Sequence, residues 1–282
     1  MMNFSLEQLS LAYRKAKVDL YYTTLPPLMA MADYEENLPE NLSRLQNRLA
    51  NPDADWLEDP DLIGGWTLTA KSLSPPEQED NDTTVFSDAA EAWKASTRDS
   101  QSKCEAQLRL MADVSLDFHV LSALWLIEVG HQFDKVLSDN AFGSRLRRTE
   151  DDNFNKLSLG SFKPYLQPFR QWRDKGIAAM RTALEEKRKV VALTADVSAF
   201  YHELQPDFLL DSGFQKLCGV SLSDDQIELH HLFVDLLRKW AKGTPSKKGL
   251  PVGLPASALV ANLALIELDR LIEHETIPVY YG

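Results

Sequence analysis

The stretch that decides the reading is Val190-Val191-Ala192-Leu193-Thr194-Ala195-Asp196-Val197-Ser198-Ala199-Phe200-Tyr201-His202-Glu203-Leu204. An apolar, partly β-branched run ends on one aspartate, and two aromatics follow after Val-Ser-Ala. Such a run, bounded by a polar change, predicts a buried strand over 190–195 that delivers the Asp196 carboxylate to a sheet edge. An aspartate at a strand end also serves simply to cap the next turn, so Asp196 alone decides nothing. A second stretch has comparable weight: Gly249-Leu250-Pro251-Val252-Gly253-Leu254-Pro255-Ala256-Ser257, running on through Ala261-Asn262-Leu263 to Leu268-Asp269. Pro251 and Pro255 bracket Gly253, a residue that lets backbone come close to a base or sugar. The helix expected over 257–272 is apolar nearly all round, hence buried, and Asn262 within it needs a polar partner.

With 282 residues, the chain has room for one or two domains. Its 44% apolar and 26% charged residues describe an ordinary globular protein. No apolar run reaches the ~18–20 residues that span a bilayer, and no basic-then-apolar leader opens the chain, so no membrane partner and a cytoplasmic setting are expected. Cys104 and Cys218 form no close pair, which indicates neither a zinc site nor a disulfide scaffold. The net charge of −12 argues against coating of nucleic acid by the whole surface. The acids cluster at Asp53–Asp61 and Glu77–Asp82, however, and the bases at Arg145–Arg148, Arg170–Lys189 and Arg238–Lys248, which leaves room for a local basic groove.

In chain order, Ser5-Leu6-Glu7-Gln8 has capping-box spacing and predicts a helix from about Ser5 to Tyr22, closed off by Pro26-Pro27. A second helix is expected around Leu42, Leu45 and Leu49, and a turn into a strand over 64–71. Residues 74–84 are rich in proline, acids and asparagine and read as an exposed connection, with a helix after it over 89–97. A strand is expected around 107–111 and a well-buried helix over 116–133. A turn-to-extended segment ending in arginine is expected over 140–146. A long helix is expected within 162–189, with Trp172, Ile177, Met180 and Leu184 on its buried face. Ser223-Asp224-Asp225-Gln226 caps a helix ending near Trp240. His230 and His231 point about 100° apart on that helix and do not share a metal. Neither a dinucleotide or Walker-type phosphate loop nor a nucleophile elbow occurs.

Asp196-Val197-Ser198-Ala199-Phe200-Tyr201, taken with Leu-Pro-x-Gly-x-x-x-Ser-x-Leu-x-Ala-Asn-Leu over 250–263, resembles the first two palm motifs of reverse transcriptases. Ala141-Phe142-Gly143-Ser144-Arg145 is similar to the fingers segment of that family, and the three occur in the family's order over roughly Arg109–Asp269. The resemblance implies a predominantly helical α+β fragment: reverse-transcriptase-like fingers and a partial palm behind an N-terminal helical extension. The implied division is 1–73 extension and start of fingers, 74–100 acidic linker and helix, 101–189 fingers and 190–282 partial palm.

It further implies RNA-directed DNA polymerisation by two-metal nucleotidyl transfer, in a setting that leans toward bacterial antiphage defence. Asp196 would be the catalytic metal ligand with the Val197 carbonyl beside it, and Mg2+ or Mn2+ the cofactor. Tyr201 would gate the sugar 2′ position in favour of deoxynucleotides, and Phe200, Gly253 and Arg145 would line the nucleotide, with Arg145 on the triphosphate. Pro251, Ser257, Lys248 and Arg109 would face an RNA or DNA template–primer, and the dNTP would be the second partner. Val252 stands where relatives usually carry glutamine, which puts nucleotide selection in question. After Val279-Tyr280-Tyr281-Gly282 the family continues into a Tyr-x-Asp-Asp hairpin, so the chain reads as the N-terminal part of a polymerase and as inactive alone. The rival expectation is a non-catalytic nucleic-acid-binding or scaffold protein on the same fold. Homo- or hetero-oligomerisation stays open.

Overall fold

Ser5 opens the first helix as its spacing predicts. Its Oγ accepts from the Gln8 N–H at 3.2 Å, and Gln8 Oε1 accepts from the Ser5 N–H at 2.9 Å, a reciprocal cap. The computed structural model describes residues 2–23, 26–51, 54–74, 94 and 105–274. In order these form α1 (Leu6–Tyr21), α2 (Leu28–Glu36), α3 (Leu38–Ala50), α4 (Pro60–Ile63), β1 (Gly65–Ser74), β2 (Glu105–Asp113) and α5 (Leu116–Trp125). A π turn (Leu126–Gly130) leads into α6 (His131–Asp134). Then come α7 (Leu166–Glu185), α8 (Phe200–Glu203), α9 (Ser212–Cys218), α10 (Asp224–Gly243), α11 (Pro255–Leu263) and α12 (Ile266–His274). The fold is mostly helical with one two-stranded antiparallel sheet, an α+β composition. Of the connection expected over 74–84, Ser74 belongs to β1, and the rest, with the helix expected over 89–97, lies outside the described residues, Lys94 excepted.

Two units are distinguished. One comprises Trp66–Asp113 and contains nearly all of the β1–β2 ribbon; the other comprises Met1–Gly65 and Val114–Gly282. The core of the larger unit is α5, all of whose residues are buried. Most of its residues are apolar, with Asp117, His119 and Ser122 buried among them, because α1, α10 and α11 pack around it. Trp125 stacks on Phe233 with centroids 4.5 Å apart, and its indole N–H donates to His230 Nδ1 at 3.0 Å. His230 Nε2 then lies 2.9 Å from the Leu209 carbonyl and donates to it, so this histidine is neutral, and burial lowers its pKa. His230 is thus a core residue and His231 an exposed one. The π turn follows immediately, and a Cβ on Gly130 would lie 2.9 Å from the Trp125 ring.

Lys15 fastens α1 to this core from the side. It has no exposed surface, and its ammonium donates to the carbonyls of Asn155, Ser158 and Gly160 and to Ser158 Oγ at 2.6–2.9 Å. Burial lowers its pKa to about 8, while Asp19 pulls the other way. Asp19 in turn accepts from the Ser161 N–H at 2.8 Å. One buried cation therefore organises the whole 155–161 loop.

Three expectations need correcting. Residues 190–197 form no strand: the segment is irregular, with Val191 93% and Leu193 89% exposed. β-Branched residues favour a pleated, half-buried surface, and no strand among the described residues lies alongside to supply one. The long helix is present as α7, but its expected inner stripe faces outward; Ile177, Met180 and Leu184 are exposed, and Pro168 is the residue of α7 that is buried. The helix expected over 257–272 is two helices broken at Ala264-Leu265, and the second exposes Leu268 and Leu271. By contrast, the Ser223–Gln226 cap, the strands within 64–71 and 107–111 and the helix over 38–50 are present. The helix α2, just after Pro27, was not foreseen.

Replacing Lys15 with methionine keeps the volume but strands four oxygens. Lys15→Met is expected to destabilise the fold by at least about 3 kcal/mol in urea unfolding followed by circular dichroism.

Candidate active site

Tyr201 sits on the single turn α8, which begins after Ala199 in a left-handed conformation at φ 52°. The turn is short because the chain must leave it at once to reach the Pro206–Leu210 3₁₀ segment. What fixes α8 comes from elsewhere. The Leu250 N–H donates to the Tyr201 carbonyl at 2.7 Å. Gly249, at φ 102°, lies so close that a Cβ there would be 3.0 Å from the Tyr201 oxygen and from the Cα and oxygen of His202. Lys248 pairs with Glu203 on the same turn. The 248–250 backbone is therefore laid directly on the tyrosine turn, and only glycine fits at the point of closest approach.

From there the chain makes the Pro251–Leu254 turn, closed by the Leu254 N–H donating to the Pro251 carbonyl at 3.1 Å. Gly253 occupies its third position at φ 105°, which a side chain would strain. Pro255 is the first residue of α11, where its missing N–H costs nothing. Ser257 is buried in the first turn, and its hydroxyl has no hydrogen-bond partner among the described residues. Asn262 finds its partner in the Gly143 carbonyl, to which its side chain donates at 2.7 Å. That bond carries the 141–145 turn to the same helix.

The structure thus brings together Phe200, Tyr201, Lys248, Pro251, Gly253 and, one helical turn further, Ser257. The Phe200 and Tyr201 rings meet edge to face, 6.3 Å apart. Asp196 and Val197 lie just before α8 on the exposed irregular segment rather than on a strand end. Arg109 is exposed on β2 in the other unit. Lys248 spends its ammonium on Glu203, a surface pair that adds little stability.

Arg145 does not present its guanidinium for a triphosphate. Its Nε donates to Asp134 at 3.1 Å, and its other nitrogens donate to the carbonyls of Ser138, Ala141 and Asp134 at 2.8–3.0 Å. Asp134 is fully buried and also accepts from Arg148 at 2.7 Å and from the Leu146 N–H at 3.1 Å. The planar fork that suits phosphate here satisfies a buried carboxylate and three carbonyls.

Hard divalent cations take oxygen ligands, and the Asp196 carboxylate with the Val197 carbonyl offers two oxygens of the kind that would hold Mg2+. Among the described residues no three His, Cys, Asp or Glu side chains gather to hold a metal. A second acidic group sits further along: Asp269 is buried on α12, and burial, with Glu273 adding to it, raises its pKa to about 6. Glu273 accepts from Ser138 and from Asn140 Nδ2.

Sequence reasoning singled out Gly253 but missed Gly249, whose role is tighter; the Gly-x-Pro spacing before the turn was the available signal. The Asn262 partner and the Lys248–Glu203 pair carried no signal, since neither spacing nor residue type announces them.

Two outcomes are expected from these contacts. Gly249→Ala forces the 248–250 backbone off the tyrosine turn and is expected to cost about 1–3 kcal/mol, measured by thermal unfolding, with faster amide exchange at Leu250. Asp269 has a folded pKa of about 6 against the usual 3.8, so the native state binds the extra proton between those values. The stability present below pH 4 is therefore lost as pH rises through 6. Asp269→Asn is expected to exceed the parent by on the order of 1 kcal/mol at pH 7.5, with the advantage gone at pH 4, in paired urea titrations. No protein-family model matches the chain, and neither a curated protein nor a solved structure matches it.

Proposed function

We propose that the chain carries the nucleotide-facing part of a reverse transcriptase that transfers deoxynucleotides onto a primer terminus, in bacterial antiphage defence. The observation that supports this reading most is the 2.7 Å bond from Leu250 N–H to the Tyr201 carbonyl, with Gly249 pressed on the same turn. It joins the backbone of the Tyr201 turn to the segment that leads into the Pro251–Leu254 turn, which supports a sugar gate and a nucleotide loop lying near each other. Tyr201 selects against a 2′-hydroxyl, and Gly253 lets the base or sugar approach the backbone. Pro251 and Ser257 shape the wall toward template and primer. Asp196 and the Val197 carbonyl would hold Mg2+, which would supply charge stabilisation at the transferring phosphate. Lys248 holds α8 through Glu203, and Arg145 serves the fold instead of the triphosphate.

A second reading, a nucleic-acid-binding or scaffold protein without catalysis, draws on the finding that no three His, Cys, Asp or Glu side chains gather among the described residues. The two readings part on one measurement: magnesium-dependent incorporation of labelled dNTP onto an annealed template–primer by the complete gene product. The expected result is synthesis that Asp196→Ala reduces at least about a thousandfold and that Tyr201→Ala opens to ribonucleotides by roughly ten- to a hundredfold. Synthesis unchanged in Asp196→Ala would refute the metal role, and no synthesis from the parent would leave the binding reading in possession.

A further inference from the structure

Helix α11 carries no charged residue, and six of its nine side chains are buried. The other three, Pro255, Ala258 and Asn262, form a half-buried stripe along its axis. Around it lie α1, α5, the π turn and α6. Apolar burial has no direction, so a slip of one residue, which turns a helix by about 100°, would trade one apolar contact for another. The bed alone does not set the roll of this helix.

Two polar side chains are the exceptions. Ser257 Oγ has no hydrogen-bond partner among the described residues, whereas Asn262 donates to the Gly143 carbonyl at 2.7 Å. That carbonyl is itself firmly held. Its neighbours at Ser138 and Ala141 accept from Arg145 at 2.8 and 3.0 Å, and Arg145 is paired with the buried Asp134. At the opposite end, α11 is entered from the Pro251–Leu254 turn, which follows the bond from Leu250 N–H to Tyr201. A rod pinned at one end still rolls. Asn262, about 10 Å further along the axis, supplies the second point.

We propose that Asn262 is a positioning residue of the candidate site, fixing the roll and register of α11 and with them the stance of Ser257 and the Pro251–Leu254 turn toward the Tyr201 turn. A single asparagine in an apolar seam selects one register at some loss of stability, and Asn262 acts in this way through the 141–145 turn. In its bearing on nucleotides the inference rests on the reading above; as a statement about α11 it does not.

Three variants of the full chain separate the donor from its shape. Asn262→Leu and Asn262→Asp keep the volume and remove the donor, and Asn262→Gln keeps the amide. Amide hydrogen exchange is followed at Leu254 and Ser257, whose N–H groups donate to Pro251 and Leu254, with Phe233 and Leu236 on α10 as reference. In the Leu and Asp variants, exchange at Leu254 and Ser257 should quicken at least about tenfold relative to the reference, and Gln should restore most of the protection. An equal rise at all four amides means general destabilisation and overturns the proposal. So does parental exchange in the Asp variant, a Gln variant no better than Leu, or the failure of both Leu and Asp variants to fold. The nucleotide reading is tested apart, in magnesium-dependent incorporation by the complete gene product. There Asn262→Leu should raise the dNTP KM roughly tenfold with kcat within about twofold. A parental KM overturns the positioning role and leaves the reading intact. A parent that incorporates no dNTP fells the reading instead, and exchange alone then decides the role of Asn262.

Discussion

The carboxylate of Asp134 is the constraint from which much of the larger unit follows. A charge with no exposed surface survives only if every lone pair is met, and two guanidiniums and a backbone N–H meet these. Arg145 and Arg148 are thereby drawn onto the end of α6, and the chain between them is pinned against the core. The strand-like bridges Leu146–Phe162 and Arg148–Phe154 hang from that anchor. The Arg147 N–H donates to Ser161 at 2.8 Å, and the Asn155 N–H to Arg147 at 2.9 Å. These bonds present the carbonyls of 155–160 to Lys15. A buried anion and a buried cation, joined through one loop, thus fasten the first helix to the middle of the chain.

The same geometry divides the candidate site into a fixed half and an open half. Tyr201, Gly249 and Gly253 are held by backbone contacts that leave little freedom, and α11 is tied by Asn262 to the 141–145 turn. Asp196, a few residues before Tyr201, lies on backbone that no sheet supports. In the proposed reading the surface around Tyr201 is held in advance, whereas the Asp196 carboxylate is held by no sheet among the described residues.

Local signals in the sequence were read well where local physics decides. The Ser5 and Ser223 caps, the largely apolar α5 and the alternating runs of β1 and β2 are settled by neighbours in the chain. The failures share one cause. A β-prone run such as 190–195 becomes a strand only if another strand comes alongside, and the run itself carries no word of that. The stripe on α7 was legible as apolar, but its periodicity does not say whether protein or water faces it. The fate of Arg145 was hidden in the same way, since its partner Asp134 is an acid no motif singles out. Tyr201 and Gly253 were placed near each other only through the family resemblance, while the glycine that touches the tyrosine turn, Gly249, went unremarked.

The Lys15 contacts join residues about 140 positions apart. During synthesis α1 emerges before residues 155–160, so its Lys15 ammonium meets its oxygens only once Gly160 has cleared the ribosome. For that interval the helix offers Leu9, Ala12, Tyr13 and Leu20, all destined for the interior, to any chaperone nearby. The Lys15 clasp on α1 is therefore closed only after the chain as far as Gly160 has been made, however early the helix itself has formed.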